Sequence, residues 1–331
     1  MSTTAKMLGA LGMLAAIVAL GAATASAQTA PEPGWPTKPI RMLVPISAGS
    51  VTDVAARLTA QDLTASLGQQ VLVVNKPGAK SVIAAKECAK AAPDGYTICL
   101  ASPDTLSYNP FTVDHLGYDP DKDFRPITDM YHVIEGFMAR KDLPANSMAE
   151  LHTLAIARAG RMTYGTFGER TTTDAFRRWL SEQWKTNFIS VPYKGGGEIM
   201  AALLAGQVDV TRIGVGNMAA QLRDGKIKML AQRGTKRSAA FPNVQTFDEA
   251  DLRGFPGGPV YWGVIVPTGV PDAIAGKLHA ALVKSLNSAK FAEFAQKQFL
   301  EPVANTPAEF AAFIKTDRAN AGKVVKAYMQ N

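Results

Sequence analysis

A regular alternation of short apolar strands and amphipathic helices constrains the fold most; it begins near Ile40 and returns after about residue 130. The stretch "IRMLVPI" predicts a strand, residues 52–66 a helix, and "QQVLVVN" a second strand. A helix over residues 81–91 and the strand "TICLA" follow. Elements of these lengths in this order favour a βαβ-type sheet with mainly parallel strands.

The second half of the chain repeats this alternation of strands and helices. "RMTYGT", "FISVPY" and "QVDVTRI" predict strands, with helices in "TTDAFRRWLSEQW" and "EIMAALLAG" between them. The C-terminal part adds the strand "VYWGVIVP" and two long helices, the last of which begins at Thr306 with capping-box spacing. The 331 residues exceed the ~100–200 of one ordinary domain. We therefore predict two similar-sized α/β units and no solenoid.

The first 27 residues precede the strand–helix alternation and have a different composition. A lone Lys6, an apolar run over residues 8–22 and the small-residue sequence ASA predict a signal peptide that is cleaved before Gln28. The alternative is an N-terminal anchor helix, but the apolar run is shorter than the ~20 residues that a membrane span needs. We therefore expect export to the periplasm.

Export changes how the two cysteines are interpreted. Cys88 falls in a predicted helix and Cys99 in the strand that follows, so the two could meet across one helix–strand contact. In an oxidising compartment a structural disulfide is plausible, and two buried reduced thiols remain the alternative. Two cysteines and four scattered histidines give no metal-binding pattern. We predict neither a metal nor a cofactor.

The net charge is +7, with basic residues spread along the chain. The run "TKR" is too short for a nucleic-acid patch, so we predict no nucleic-acid partner. A mildly positive exported protein suits anionic small ligands, although the same charge commonly serves solubility alone.

The stretch "VPISAGSVTDVAARL", residues 44–58, predicts a binding loop. A strand ends at Ile46, small residues follow, and Ser50 with Asp53 three residues later marks a helix start. The free N–H groups of a first helical turn attract an anion. Because no Walker or dinucleotide fingerprint is present, a carboxylate is favoured over a phosphate. The alternative is an ordinary capped turn.

Several segments resemble one receptor family in their order and spacing, and they cover almost everything from Trp35 to Ile314. They include "WPTKPIRMLVP", "NKPGA", "AKAAPDGYT", "YDPDKDFRPIT", "VPYKGG", "LLAGQVDV", "KRSAAFPNVQTFDEA" and "GVIVPTGVP". The chain resembles the solute receptors of tripartite tricarboxylate transporters, also called the Bordetella uptake family. The resemblance implies a bilobed, type II-like periplasmic binding protein, or Venus flytrap, that grips a carboxylate with the loop after the first strand and presents it to a membrane permease.

The resemblance also implies two lobes joined by a two-crossing hinge. We expect lobe 1 to combine residues 28–127 with 252–331, lobe 2 to comprise residues 128–251, and the protein to be a monomer that binds one small carboxylate. The predicted ligand-binding residues are Ile46, Ser47, Ala48, Gly49, Ser50, Thr52, Asp53, Ser102 and Asp104 in the first lobe, and Thr166, Phe167, Arg170, Thr171, Thr172 and Arg212 in the second.

Several positions depart from the family pattern, including the charged pair Glu169 and Arg170 in the second-lobe loop. Val51 stands at a usual glycine position and restricts the loop. Asp104 lies in a loop that is usually uncharged, where it could bind an ammonium or hydroxyl group. Arg212 could meet a second anionic end of the ligand through two parallel hydrogen bonds. Alternation along the strand could instead turn Arg212 away from the cleft as a solvated charge.

Two other functions compete with transport. A flytrap of this kind could signal to a partner without transport, and the sequence does not separate the two. A secreted hydrolase is disfavoured because the chain has no G-x-S-x-G elbow and no nucleophile with an identifiable histidine partner. We predict no catalytic residues and no enzyme activity.

Overall fold

The computed structural model describes residues 34–234, 236–238, 240–252 and 254–330, so the predicted signal peptide lies outside the described residues. Within these ranges, no helix has the length and apolar character needed to cross a membrane.

Strands and helices alternate along most of the chain. The strands are β1 (Ile40–Val44), β2 (Val71–Asn75), β3 (Thr97–Ala101), β4 (Phe124–Val133), β5 (Glu135–Arg140), β6 (Met162–Thr166), β7 (Phe188–Pro192), β8 (Val210–Gly214), β9 (Ile227–Gln232), β10 (Tyr261–Pro267) and β11 (Leu300–Pro302). The α-helices are α1 (Val51–Leu67), α2 (Val82–Ala89), α3 (Asn109–Thr112), α4 (Met148–Ala157), α5 (Thr172–Gln183), α6 (Gly196–Leu204), α7 (Ala219–Arg223), α8 (Asp272–Leu286), α9 (Ala289–Gln298) and α10 (Pro307–Tyr328).

Two mixed sheets form the two lobes of a bilobed α/β fold. The first has the order β11-β4-β10-β3-β1-β2, and the second has the order β7-β6-β8-β5-β9. The strands linked by helices are parallel: β1 pairs with β2 and β3, and β6 pairs with β7 and β8. Strand β10 is antiparallel to β3 and β4, and β5 is antiparallel to β8 and β9. The expectation of mainly parallel strands is therefore wrong for β5 and β10, because each enters its sheet from the other lobe and starts at the edge where the parallel strands end.

The chain crosses between the lobes at Ile134, between β4 and β5. The sequence predicted this crossing near residues 127 and 128, whereas β4 continues in the first sheet to Val133. The run "ITDMYHVIEGFMAR" mixes apolar and polar residues on both sides of the crossing and contains no proline or asparagine that would mark a turn. The return crossing lies in the connection over residues 233–260, between β9 and β10.

Each lobe has its own core, and local signals fix the helix that leads to the binding loop. Helix α1 begins after Ser50, whose side chain accepts a hydrogen bond from the Asp53 N–H, and it ends at Gly68 in the left-handed conformation (φ 73°). Its buried face packs against α8. The loop before α1 is thereby held at the edge of the first sheet.

A disulfide bond joins Cys88 in α2 to Cys99 in β3, with an S–S distance of 2.09 Å. Both residues are buried. The bond fastens α2 to the first sheet, next to the strand β1 that leads into the binding loop.

The C-terminal helix α10 connects the lobes from the side. Val324 and Val325 of α10 pack with Tyr108 of the first lobe and Ala175 of α5 in the second lobe. The Tyr328 hydroxyl also donates a hydrogen bond to Glu182, at 3.0 Å. These contacts bring the segment around Tyr108 to the interface between the lobes.

Candidate functional site

The loop between β1 and α1 presents unused hydrogen-bond donors. Ser47 and Ala48 are exposed, and Ser50 is half-buried. No hydrogen bond joins the backbone N–H groups of Ser47, Ala48 or Ser50 to any residue that the structure describes. These donors lie at the N-terminus of the 17-residue helix α1, where the helix dipole favours an anion.

The buried Asp53 side chain stabilises this loop through hydrogen bonds. Its carboxylate accepts hydrogen bonds from the Gly49 N–H at 2.9 Å, from Arg57 Nε at 3.0 Å and from Asn75 Nδ2 at 2.8 Å. Asn75 Nδ2 also donates to the Ile46 carbonyl at 3.0 Å. Burial alone would raise the pKa of Asp53, but these hydrogen bonds and the Arg57 charge outweigh it and lower that pKa. The Asp53 side chain therefore fixes the loop's shape.

The other predicted loop residues divide by exposure. Ile46 packs against the first-lobe core, and Thr52 is buried. Gly49 adopts a positive φ of 82°, which an L-residue rarely takes. Val51 is the first residue of α1, so its backbone is helical and its branched side chain does not restrict the loop that precedes the helix. Exposed backbone, more than side chains, is what this loop offers to a ligand.

The segment after β3 leaves the first sheet at the same edge as the binding loop, because β1 and β3 are parallel neighbours. Ser102 is buried, and Asp104 begins a π-helical turn over Asp104–Tyr108. Burial raises the pKa of Asp104, and the positive charge of Lys80 opposes that rise. No hydrogen bond to the Asp104 side chain comes from the described part of the chain.

In the second lobe, two predicted hydroxyl groups are used within their own loop. Thr166 Oγ1 lies 3.0 Å from Ser190 Oγ and accepts a hydrogen bond from the Gly168 N–H at 3.2 Å. Thr171 caps α5 and donates to the Gly168 carbonyl at 2.7 Å. These bonds shape the turn between β6 and α5.

Phe167, Arg170 and Thr172 are predicted second-lobe residues that are exposed or half-buried and take no part in these hydrogen bonds. Phe167 is 40% exposed, Arg170 is exposed in a left-handed conformation (φ 59°), and Thr172 is half-buried at the start of α5. They lie on the turn that follows β6, at the edge from which the crossing strand β5 enters.

Arg212 lies in the interior of the second lobe. Its side chain is 1% exposed, and its Nε and Nη2 atoms donate to Glu135 Oε1 at 3.1 and 2.9 Å. Arg233 Nη1 donates to the other carboxylate oxygen at 3.1 Å. We call Glu135, Arg212 and Arg233 the buried charge triad. The Arg212 guanidinium also lies over the Phe176 ring, 4.6 Å from its centroid.

This position matches neither of the alternatives considered from the sequence, an available cleft cation or a solvated charge. A contact between Arg212 and a ligand stays a prediction. The sequence offered no signal for Glu135 or Arg233, which lie far from Arg212 along the chain.

A cavity of about 360 Å³ lies beside the two crossings and includes Ile134, Arg233, Phe255 and Pro259 in its lining. It contains none of the predicted ligand-binding residues. Among the described residues, no group of three His, Cys, Asp or Glu side chains could hold a metal ion.

Residues 55–329 match the family described as tripartite tricarboxylate transporter family receptor. The chain belongs to this receptor family. A relative from Cupriavidus necator, a UPF0065 protein in the gbd 5′ region, is 33% identical over 323 residues, which are 96% of this chain and 97% of the relative. The family assigned from the sequence is confirmed.

Solved structures of similar proteins support the same fold. The periplasmic binding protein BugD is 30% identical, with a TM-score of 0.72 over 88% of this chain and 98% of its own. Rpa4515 from R. palustris, solved with adipate, is 28% identical with a TM-score of 0.77 over 88% of this chain and 97% of its own. MatC from Rhodopseudomonas palustris, solved with malate, is 28% identical with a TM-score of 0.73 over 88% of this chain and 100% of its own. The receptor family is therefore one of solute-binding proteins, and the chain is not an enzyme.

Proposed function

We propose that this protein is an exported periplasmic receptor that captures a small carboxylate between its lobes and delivers it to a tripartite permease. The observation that carries the proposal is the set of unused N–H donors of Ser47, Ala48 and Ser50 at the start of α1. The binding of adipate and malate by similar proteins supports a carboxylate as the ligand.

The loop suits a carboxylate for two physical reasons. Each hydrogen bond to a charged group contributes about 1.5–3 kcal/mol, so two or three N–H donors supply a substantial part of micromolar affinity. The α1 dipole adds about 0.3–1 kcal/mol at an exposed helix terminus. Asp53 holds the donors in place before the ligand arrives, which reduces the entropy lost on binding.

The second lobe completes the site by closure. Phe167, Arg170 and Thr172 lie on one turn of that lobe and are accessible. We propose that closure about the two crossings brings this turn over the ligand, where Arg170 supplies a charge and Thr172 a hydroxyl group. Lobe closure around a ligand is a common use of such hinges.

The test is a thermal-shift screen of the chain starting at Gln28 against malate, adipate, citrate, aromatic acids and amino acids. A saturable rise in melting temperature is expected for at least one acid, because a ligand that binds the native state stabilises it. Ala48→Glu places a negative charge beside the donors and should weaken binding at least tenfold, which is a change of about 1.4 kcal/mol. Ala48→Gln is the neutral control of the same size.

Equal affinities of the Ala48→Glu and Ala48→Gln variants would remove the loop from the site. If none of the acids raises the melting temperature, carboxylate capture is wrong. Delivery to a permease is tested separately, by loss of uptake of the identified acid from cells that lack the chain. Unchanged uptake would favour signalling without transport.

A further inference from the structure

Asp104 differs from the buried aspartates Asp53 and Asp209 in having no hydrogen-bond donor. Asp53 has three donors, and Asp209 accepts hydrogen bonds from Arg140, Arg158 and the Thr163 backbone. Within the described residues, nothing donates to the Asp104 side chain. A carboxylate that is partly removed from water without a donor is costly, so a group that satisfies it gains free energy.

The position of Asp104 makes a ligand the natural source of that donor. Asp104 follows β3, and β3 is the parallel neighbour of β1, so the segment that carries Asp104 leaves the first sheet beside the binding loop. Four residues later, Tyr108 lies in one apolar cluster with Ala175 of the second lobe, so the segment borders the interface between the lobes. A donor that is enclosed between the lobes at this edge is shielded from competing water.

Lys80 gives the same edge a complementary charge. Asn109 Nδ2 donates to the Lys80 carbonyl at 2.8 Å, which holds the turn around Lys80 against the segment that carries Asp104. The exposed Lys80 ammonium lies close enough to oppose the rise in the pKa of Asp104 that burial causes. One edge of the first lobe thus presents N–H donors and a cation for an anionic group, and a carboxylate acceptor for a protic group.

We infer that Asp104 accepts a hydrogen bond from a hydroxyl or ammonium group of the bound ligand, so that the cleft selects hydroxy- or amino-substituted carboxylates over the unsubstituted acids. The inference rests on the proposed function and narrows its ligand class. A site that is built to pair with a hydroxyl or amine rejects an analogue lacking it, because its own polar group then stays unpaired. Binding of the substituted acid should be tighter by at least tenfold.

The test compares matched acids by isothermal titration calorimetry. For each chain length from four to six carbons, the unsubstituted diacid is titrated beside its 2-hydroxy and 2-amino counterparts; succinate, malate and aspartate form the four-carbon set. At the best-bound length, the hydroxy or amino acid should bind at least tenfold more tightly than the unsubstituted diacid. Asp104→Ala should abolish that preference.

Asp104→Asn distinguishes the two donors. An amide oxygen still accepts from a hydroxyl group, so a preference for the hydroxy acid should survive in this variant, whereas a preference for the amino acid should be lost with the negative charge. Asp114→Asn is the matched control, because Asp114 is an exposed aspartate in the connection after the same segment. Its affinities should equal those of the unmodified chain.

The outcomes separate the role of Asp104 from the proposed carboxylate-receptor function. If the unsubstituted diacid binds as tightly as both counterparts and Asp104→Ala changes nothing, the assignment of Asp104 is wrong and the carboxylate receptor stands. If the chain binds none of these acids and none in the thermal-shift screen, both are wrong.

Discussion

Removing the Glu135 carboxylate should destabilise the protein more than removing Arg212. Glu135 is 4% exposed and pairs with both arginines of the buried charge triad. Glu135→Gln keeps the size of the side chain but leaves two guanidinium groups facing a neutral amide. Loss of one partner from a buried ion pair costs about 3–5 kcal/mol, since the remaining charge is buried without compensation.

Arg212→Met has a smaller expected cost. The Glu135 carboxylate keeps its pair with Arg233, and the methionine side chain packs against the aromatic ring of Phe176 that the guanidinium now covers. Removal of one partner is costly when it leaves the other charge uncompensated, and here Glu135 stays compensated by Arg233, so we expect a loss of only about 1–2 kcal/mol. The prediction is that Glu135→Gln lowers the free energy of unfolding more than Arg212→Met does; the two values themselves are secondary.

The assay is urea unfolding followed by circular dichroism and tryptophan fluorescence, with the free energy of unfolding taken from the midpoint and slope. Glu293→Gln is the control, because the Glu293–Lys297 pair is about two-thirds exposed and its loss should leave the midpoint unchanged. A larger loss for Arg212→Met than for Glu135→Gln would refute the reasoning. A Glu135→Gln loss below about 1 kcal/mol would refute it equally.

Two further predictions concern the disulfide and a buried aspartate. Reducing the Cys88–Cys99 bond, whose ends are 11 residues apart, should lower the free energy of unfolding by about 3 kcal/mol, and equal urea midpoints with and without reductant would contradict this. Burial raises the pKa of Asp317, although the hydrogen bond from Ser107 and the charge of Arg233 oppose the rise. The folded chain therefore holds this proton more tightly than the unfolded chain, so the contribution of Asp317 to stability falls as pH rises from its unfolded pKa through its folded pKa. Asp317→Asn should gain stability relative to the unmodified chain between pH 4 and pH 7, and a constant difference in urea midpoint across that range would count against it.

Local sequence signals predicted the start of the helix that follows the binding loop, whereas the strand before the loop was expected to end at Ile46 and ends at Val44. Ser50 followed three residues later by Asp53 is a helix-start spacing, and the structure places the N-cap at Ser50. The hydrogen bond from the Asp53 N–H to the Ser50 side chain spans only three residues, so the signal and the structure share the same short stretch of chain. The strand–helix alternation was equally local, and it predicted β1, α1 and β2 in their order.

Features that depend on distant parts of the chain could not be predicted in this way. The crossing at Ile134 joins two strands that are both buried, so no polar or glycine-rich turn marks it in the sequence. Strand direction is decided by where the chain enters a sheet, which periodicity does not report. The role of Asp53 in holding the loop was also hidden, because Asp53 is in α1 and its partner Asn75 is 22 residues away at the end of β2.

The burial of Arg212 shows the same limit most clearly. Alternation along β8 offered two faces for this side chain, and each was interpreted as reaching water or a ligand. The sheet register supplies a third possibility: Phe137 lies opposite Arg212, and Glu135 lies opposite Gly214, two residues further along the same strands. Glu135 and Arg212 are therefore diagonal neighbours on one face, and Gly214 carries no side chain to separate them. A charge at position 212 is thus compensated within the core by a residue of the neighbouring strand, and its presence needs no anionic ligand to explain it.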